Sequence, residues 1–128
     1  MNGIKYLLDT NFILGILKCN PDVLANVAAR RIRTDECGYS VITRMELLGF
    51  HGITKAEDTV IREKLARLVR MPVTEDIEDE VIHLRQIRRI KLPDAIIAAT
   101  AYCNDAELLT LDTRLLTIMD HMNVPDND

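Results

Sequence analysis

Aromatic residues are scarce. There is no tryptophan, and three Tyr and two Phe make up 4% of the chain. Hydrophobic residues still reach 48%, so a real core can form, and it must be mostly aliphatic. Cysteine is equally thin: Cys19, Cys37 and Cys103 are far apart, form no CxxC pair and are odd in number. That argues against a disulfide framework and suggests small core hydrophobes in a reducing compartment. Long apolar runs are missing too. Nothing approaches the roughly 18 residues that span a bilayer, and Asp9 cuts short the run after Lys5 before it can serve as a signal peptide. The expectation is a cytoplasmic protein without a membrane partner. An excess of positive charge is also absent. A net charge of −4 disfavours a protein that coats nucleic acid by bulk electrostatics, but permits an enzyme that grips phosphates through bound cations. No Walker A sequence occurs, Ser40 lacks the glycines of a nucleophile elbow, and His51, His83 and His121 have no ligand spacing. Repeats, low-complexity tracts and linkers are missing, so residues 1–128 are expected to form one domain with a frayed polar tail.

What is present is organised around Tyr6-Leu7-Leu8-Asp9-Thr10-Asn11. A short apolar run suits a strand buried on both faces. It ends in three residues that favour helix starts, followed by the helical run Phe12 to Leu17. Asp9 therefore belongs at the carboxyl end of a first strand, either as a helix cap or as a functional carboxylate. Further on, Pro21 opens a helix expected over residues 21–33, with Arg30, Arg31 and Arg33 at its end as dipole compensation. A second strand is expected over 36–42, with Thr43 as N-cap and Glu46 in capping-box position. A helix follows over 54–69. A short strand over 70–74 is expected to be central or third in order, although Pro72 favours an edge. The amphipathic stretch 75–89 is acidic at its start and basic at its end, and Arg85, Arg88, Arg89 and Lys91 read as a solvated helix end, with contact to nucleic-acid phosphates as the alternative. Pro93 then opens a helix with Asp94 in its first turn. A fourth strand is expected over 107–111, ending in Asp112, with a last short helix over 113–118. The order β-α-α-β-α-α-β-α-α-β-α predicts a three-layer α/β/α domain with a mainly parallel sheet and right-handed crossovers.

In such a sheet, strand ends and the following helix starts share one edge, where ligands bind. Asp9, Glu46, Asp94 and Asp112 all fall there. Converging carboxylates repel one another unless cations join them, and Mg²⁺ or Mn²⁺ is the natural match for oxygen ligands. Asn11 reads as a helix cap or as support for Asp9.

Leu7-Leu8-Asp9-Thr10-Asn11, Thr43-Arg44-Met45-Glu46-Leu47, Leu92-Pro93-Asp94-Ala95-Ile96-Ile97-Ala98-Ala99-Thr100-Ala101 and Leu109-Thr110-Leu111-Asp112 resemble, in order and across essentially the whole chain, the four motifs of PIN-domain nucleases. The VapC-type toxin ribonucleases are the nearest in pattern. The resemblance implies a metal-dependent endoribonuclease with Asp9, Glu46 and Asp94 in its acidic cluster, Asp112 as fourth acid and Thr110 as an orienting group. It also implies RNA as substrate, a cognate antitoxin that covers the acidic site, and a homodimer. One departure stands out. Many relatives carry a polar residue and then Phe beginning three positions past Asp112, where this chain has Leu115 and Leu116. Two other classes stay open. A haloacid dehalogenase-type phosphoryl transferase would want an acid at Asn11, and a receiver domain wants paired acids after its first strand. A catalytically inactive binding module would be expected to have lost the acidic set.

Overall fold

The computed structural model describes residues 3–122. Four strands, β1 (Tyr6–Leu8), β2 (Cys37–Ser40), β3 (Val69–Met71) and β4 (Glu107–Leu109), form one sheet in the order β3-β2-β1-β4. Every neighbouring pair is parallel, with Tyr6 opposite both Cys37 and Glu107. Seven helices complete the expected order: α1 (Thr10–Leu17), α2 (Pro21–Ala29), α3 (Val41–Leu48), α4 (Lys55–Ala66), α5 (Glu75–Ile87), α6 (Leu92–Cys103) and α7 (Thr113–Met122).

Strand alternation divides the core. Leu8 and Leu109 face α1, α2 and α4 through Phe12, Ile13, Val23, Ile61 and Leu65. Leu7 and Leu108 face α5, α6 and α7 through Leu84, Ile97, Ala98, Ala101, Leu115 and Met119. The alanines of α6 are completely buried, which lets that helix lie close to the sheet. The sheet is thus covered on both faces, as all-parallel sheets require.

The order 3-2-1-4 fixes where a ligand can sit. The connection from β1 runs to β2 on one side, whereas β4 pairs with β1 on the other. Loops diverge at the carboxyl ends of β1 and β4, leaving the crevice in which open α/β sheets bind ligands.

Several boundaries differ from those expected. β2 stops at Ser40, whose hydroxyl caps α3 by accepting from Ile42 N–H, so neither Thr43 nor a Thr43–Glu46 capping box starts that helix. β3 lies at a sheet edge, as Pro72 suggested, not in a central place. β4 ends at Leu109, which leaves Asp112 beyond the strand. α2 ends at Ala29 because Arg31 takes a left-handed conformation (φ 52°) and Ile32 N–H returns to Val27 O. Its arginines compensate particular acids instead of the dipole: Arg30 pairs with Glu107 over the Tyr6 ring, and Arg33 pairs with Asp35. α7 runs to Met122, well past 118; the frayed tail expected beyond it lies outside the described residues. Of the cysteines only Cys37 is in the core, where burial pushes its thiol up to about 11; Cys19 and Cys103 are exposed. Among the described residues no single helix is long and apolar enough to cross a membrane. α1 and α2 would qualify only together, and they are bent by 99°.

Gly15 lets α1 and α2 meet at that bend. A Cβ there would stand 2.7 Å from Cγ2 of Val23, itself buried and β-branched. Gly15→Ala is expected to destabilise the protein by about 1–3 kcal/mol in urea denaturation, and Val23→Ala in the same chain should restore part of the loss.

Candidate active site

Asp9 is buried, with 3% of its surface exposed, and its two carboxylate oxygens are used differently. Oδ1 accepts from Phe12 N–H at 2.8 Å, which caps α1. Oδ2 accepts the hydroxyl of Thr110, from the end of β4. Asp9 therefore starts a helix with one oxygen and reaches the end of β4 with the other. Burial raises its pKa above the usual carboxylate range. The bonds from Thr110 and Phe12 pull the other way, and the negative charges of Asp112 and Glu46 push it up further. The last effect establishes that these three acids lie within electrostatic reach.

Glu46 projects from the last turn of α3, where Thr10 Oγ1 donates to its Oε1 at 2.6 Å. The Thr10 and Thr43 hydroxyls are 3.3 Å apart, and Thr43 is fully buried. Both threonines belong to the constellation and were read from sequence only as helix-start residues. The signal was their adjacency to Asp9 and Glu46 within the motifs.

Thr110 joins two acids. While it donates to Asp9, it accepts from Asp112 N–H at 3.0 Å, and that bond turns the chain back toward the crevice. Asp112 then accepts from Arg114 through both backbone and guanidinium (2.9 and 3.2 Å), which holds its carboxyl below the usual range. Asp94 sits in the first turn of α6, and its charge is felt by Arg114. Arg114 thus tethers Asp112 and lies within electrostatic reach of Asp94. Asn11, by contrast, is exposed and makes no side-chain hydrogen bond among the described residues; it neither caps α1 nor supports Asp9. Leu115 is buried in the core, so no acid can project into the crevice from that position. His51, His83 and His121 are exposed.

The chemistry of the donors fits a hard divalent ion. All are carboxylate or hydroxyl oxygens, and Asp9 has no cation paired with it among the described residues despite the neighbouring acids. Among those residues no three His, Cys, Asp or Glu side chains form a ready-made cage. Mg²⁺ keeps several waters and needs few protein ligands, so a looser acid set is still adequate.

Asp9 makes a sign-definite prediction for metal-free buffer. Because its native pKa is raised, the stability it contributes is full below the usual value near 3.8 and is lost as pH rises through the native value. Asn can keep the cap without the charge. Asp9→Asn should therefore melt several degrees above the parent at about pH 7 in EDTA, an advantage that vanishes toward roughly pH 3.

The chain is similar to known proteins in both sequence and fold. Residues 6–120 match the PIN domain. A toxin–antitoxin complex from Klebsiella pneumoniae contains a chain 28% identical, with a TM-score of 0.73 over 86% of this chain and 88% of that one. VapBC-1 from nontypeable Haemophilus influenzae contains one 26% identical, with a TM-score of 0.74 over 91% and 94%. FitAcB from Neisseria gonorrhoeae contains one 26% identical, with a TM-score of 0.69 over 90% and 93%. No curated protein matches the sequence significantly.

Proposed function

The chain belongs to the PIN-domain family, and from that premise we propose that it is a Mg²⁺-dependent endoribonuclease, with Mn²⁺ as an alternative ion, and the toxin of a toxin–antitoxin pair. In this reading residues 1–128 work as one cytoplasmic domain. The observation that carries it is the buried carboxylate of Asp9 at the β1–β4 crevice, under the charges of Glu46 and Asp112.

Asp9 and Asp94 would hold the ion directly, and Glu46 and Asp112 would complete the site through water. When bound, the ion supplies Lewis-acid polarisation of the phosphoryl oxygen and a water of lowered pKa. The chain's own contribution is positioning. Thr110 fixes the rotamer of Asp9 and the turn that presents Asp112, and Thr10 holds Glu46 toward the crevice. Arg114 partly neutralises Asp112. No Ser, Cys or His nucleophile is needed. A dehalogenase-type transfer would want a general acid at position 11, where the exposed Asn11 stands.

The partner reading has its own support. A groove of about 200 Å³ between α1, α3 and α4 is lined by Leu14, Leu47, Phe50, Ile53 and Ile61, with Glu46 on its rim. Phe50 is 67% exposed. An amphipathic helix of an antitoxin laid in this groove would lie beside the acids and shield them. A homodimer is part of the proposal and is tested by light scattering.

With purified protein and defined RNAs, cleavage should require Mg²⁺ or Mn²⁺ and stop in EDTA. Asp9→Asn, Glu46→Gln, Asp94→Asn and Asp112→Asn should each lower the rate, the Asp9 and Asp94 changes by more than about 100-fold. Full activity of Asp94→Asn, or turnover of acetyl phosphate or a phosphomonoester instead of RNA, would refute the proposal. In calorimetry with the cognate antitoxin, Phe50→Glu should weaken the complex at least about tenfold.

A further inference from the structure

A broad, open hollow lies where α5 gives way to α6. It encloses about 840 Å³, and its lining includes Arg85, Arg88, Arg89 and Lys91 and no acidic residue. That is four formal positive charges gathered in a chain whose net charge is −4. None of the four takes part in an ion pair among the described residues, although Arg30, Arg33, Arg62 and Arg114 all do. Arg85 Nε instead donates to Ile90 O at 3.3 Å, which shapes the α5–α6 connection. Helix-dipole compensation accounts for cations at the end of α5. It does not account for Lys91, which is the N-cap of α6, where a positive charge is unfavourable. The floor between the cations is apolar, with Ile82 and Leu92 about half exposed.

The position gives this surface its meaning. Lys91 precedes Asp94 by less than one helical turn, so the basic hollow adjoins Asp94 in the first turn of α6. Acids that hold a metal repel RNA phosphates everywhere except at the ion. A strand crossing the site therefore needs cations nearby to hold its neighbouring phosphates.

We propose that Arg85, Arg88, Arg89 and Lys91 form a subsite for the phosphate backbone of single-stranded RNA, extending the substrate path beyond the scissile bond. This rests on the nuclease reading above. An acidic segment of a partner protein would also match the charge, but continuity with Asp94 favours the substrate.

The test separates the two proposals. Binding of a fluorescein-labelled single-stranded RNA is followed by anisotropy in EDTA over a salt series, and cleavage of the same RNA is followed in Mg²⁺. The unsubstituted full-length chain should bind with log Kd rising linearly with log salt. Arg85→Gln/Arg88→Gln/Arg89→Gln should raise Kd at least tenfold and flatten the slope by about 0.7 for each phosphate no longer neutralised. The triple Arg→Lys chain should retain most of the slope, which excludes a purely structural effect. Unchanged Kd and slope in the Gln chain, with cleavage intact in the unsubstituted one, would overturn the subsite and leave the nuclease reading standing. Loss of a dimer by light scattering with RNA binding unchanged would assign the face to an interface between copies, and loss of antitoxin binding alone would assign it to that partner; either overturns the subsite. Failure of the unsubstituted chain to cleave any RNA with Mg²⁺ would sink both proposals.

Discussion

The hydroxyl of Thr110 on the carboxylate of Asp9 is the interaction on which the crevice depends. It ties the end of β4 to the end of β1 at the point where the chain's connections diverge. A carboxylate buried this deeply is costly unless its oxygens are satisfied, and here one is met by Phe12 N–H and the other by Thr110. Two demands are answered by one side chain. The first turn of α1 receives its cap, and the crevice receives a fixed oxygen donor. The same threonine then turns the backbone by accepting from Asp112 N–H, so the second acid's position follows from the first.

The other acids come from different elements. Glu46 comes from the last turn of α3 and owes its orientation to Thr10, the residue after Asp9. Asp94 comes from the first turn of α6, whose buried alanines hold it close to the sheet. Arg114 pairs with Asp112 and also interacts favourably with the charge of Asp94. Short hydroxyl links thus join Thr110 to Asp9 and Thr10 to Glu46 across tens of residues.

Most of the element order was legible in the sequence because apolar runs and helix-start residues alternate cleanly. Boundaries failed where one side chain outweighs local propensity. Val41 and Ile42 look like strand residues, yet Ser40 caps a helix just before them. Leu111 looks like the continuation of a strand, yet the Thr110–Asp112 turn leaves it about half exposed. α1, α2 and α6 are followed by Cys19, Arg31 and Asp105 in left-handed conformations, where no Gly marks the stop. Asp9, Asp94 and Asp112 stand out in the sequence as acids near strand ends and helix starts, and Glu46 through its motif. Thr110 is legible from its place in the last motif, but Thr10 and Thr43 are not, because a helix-start threonine and an orienting one look the same until both partners are placed.

The sheet is also short in the direction of its strands. Its two outer members, β3 and β4, have three residues each, with Pro72 directly after β3. Few unpaired amide and carbonyl groups are left along either margin, and fewer still in register. Another chain could hardly extend this sheet by adding a strand. Recognition by any protein is directed instead to the helical faces, where exposed Phe50 and Met45 present side chains in place of backbone.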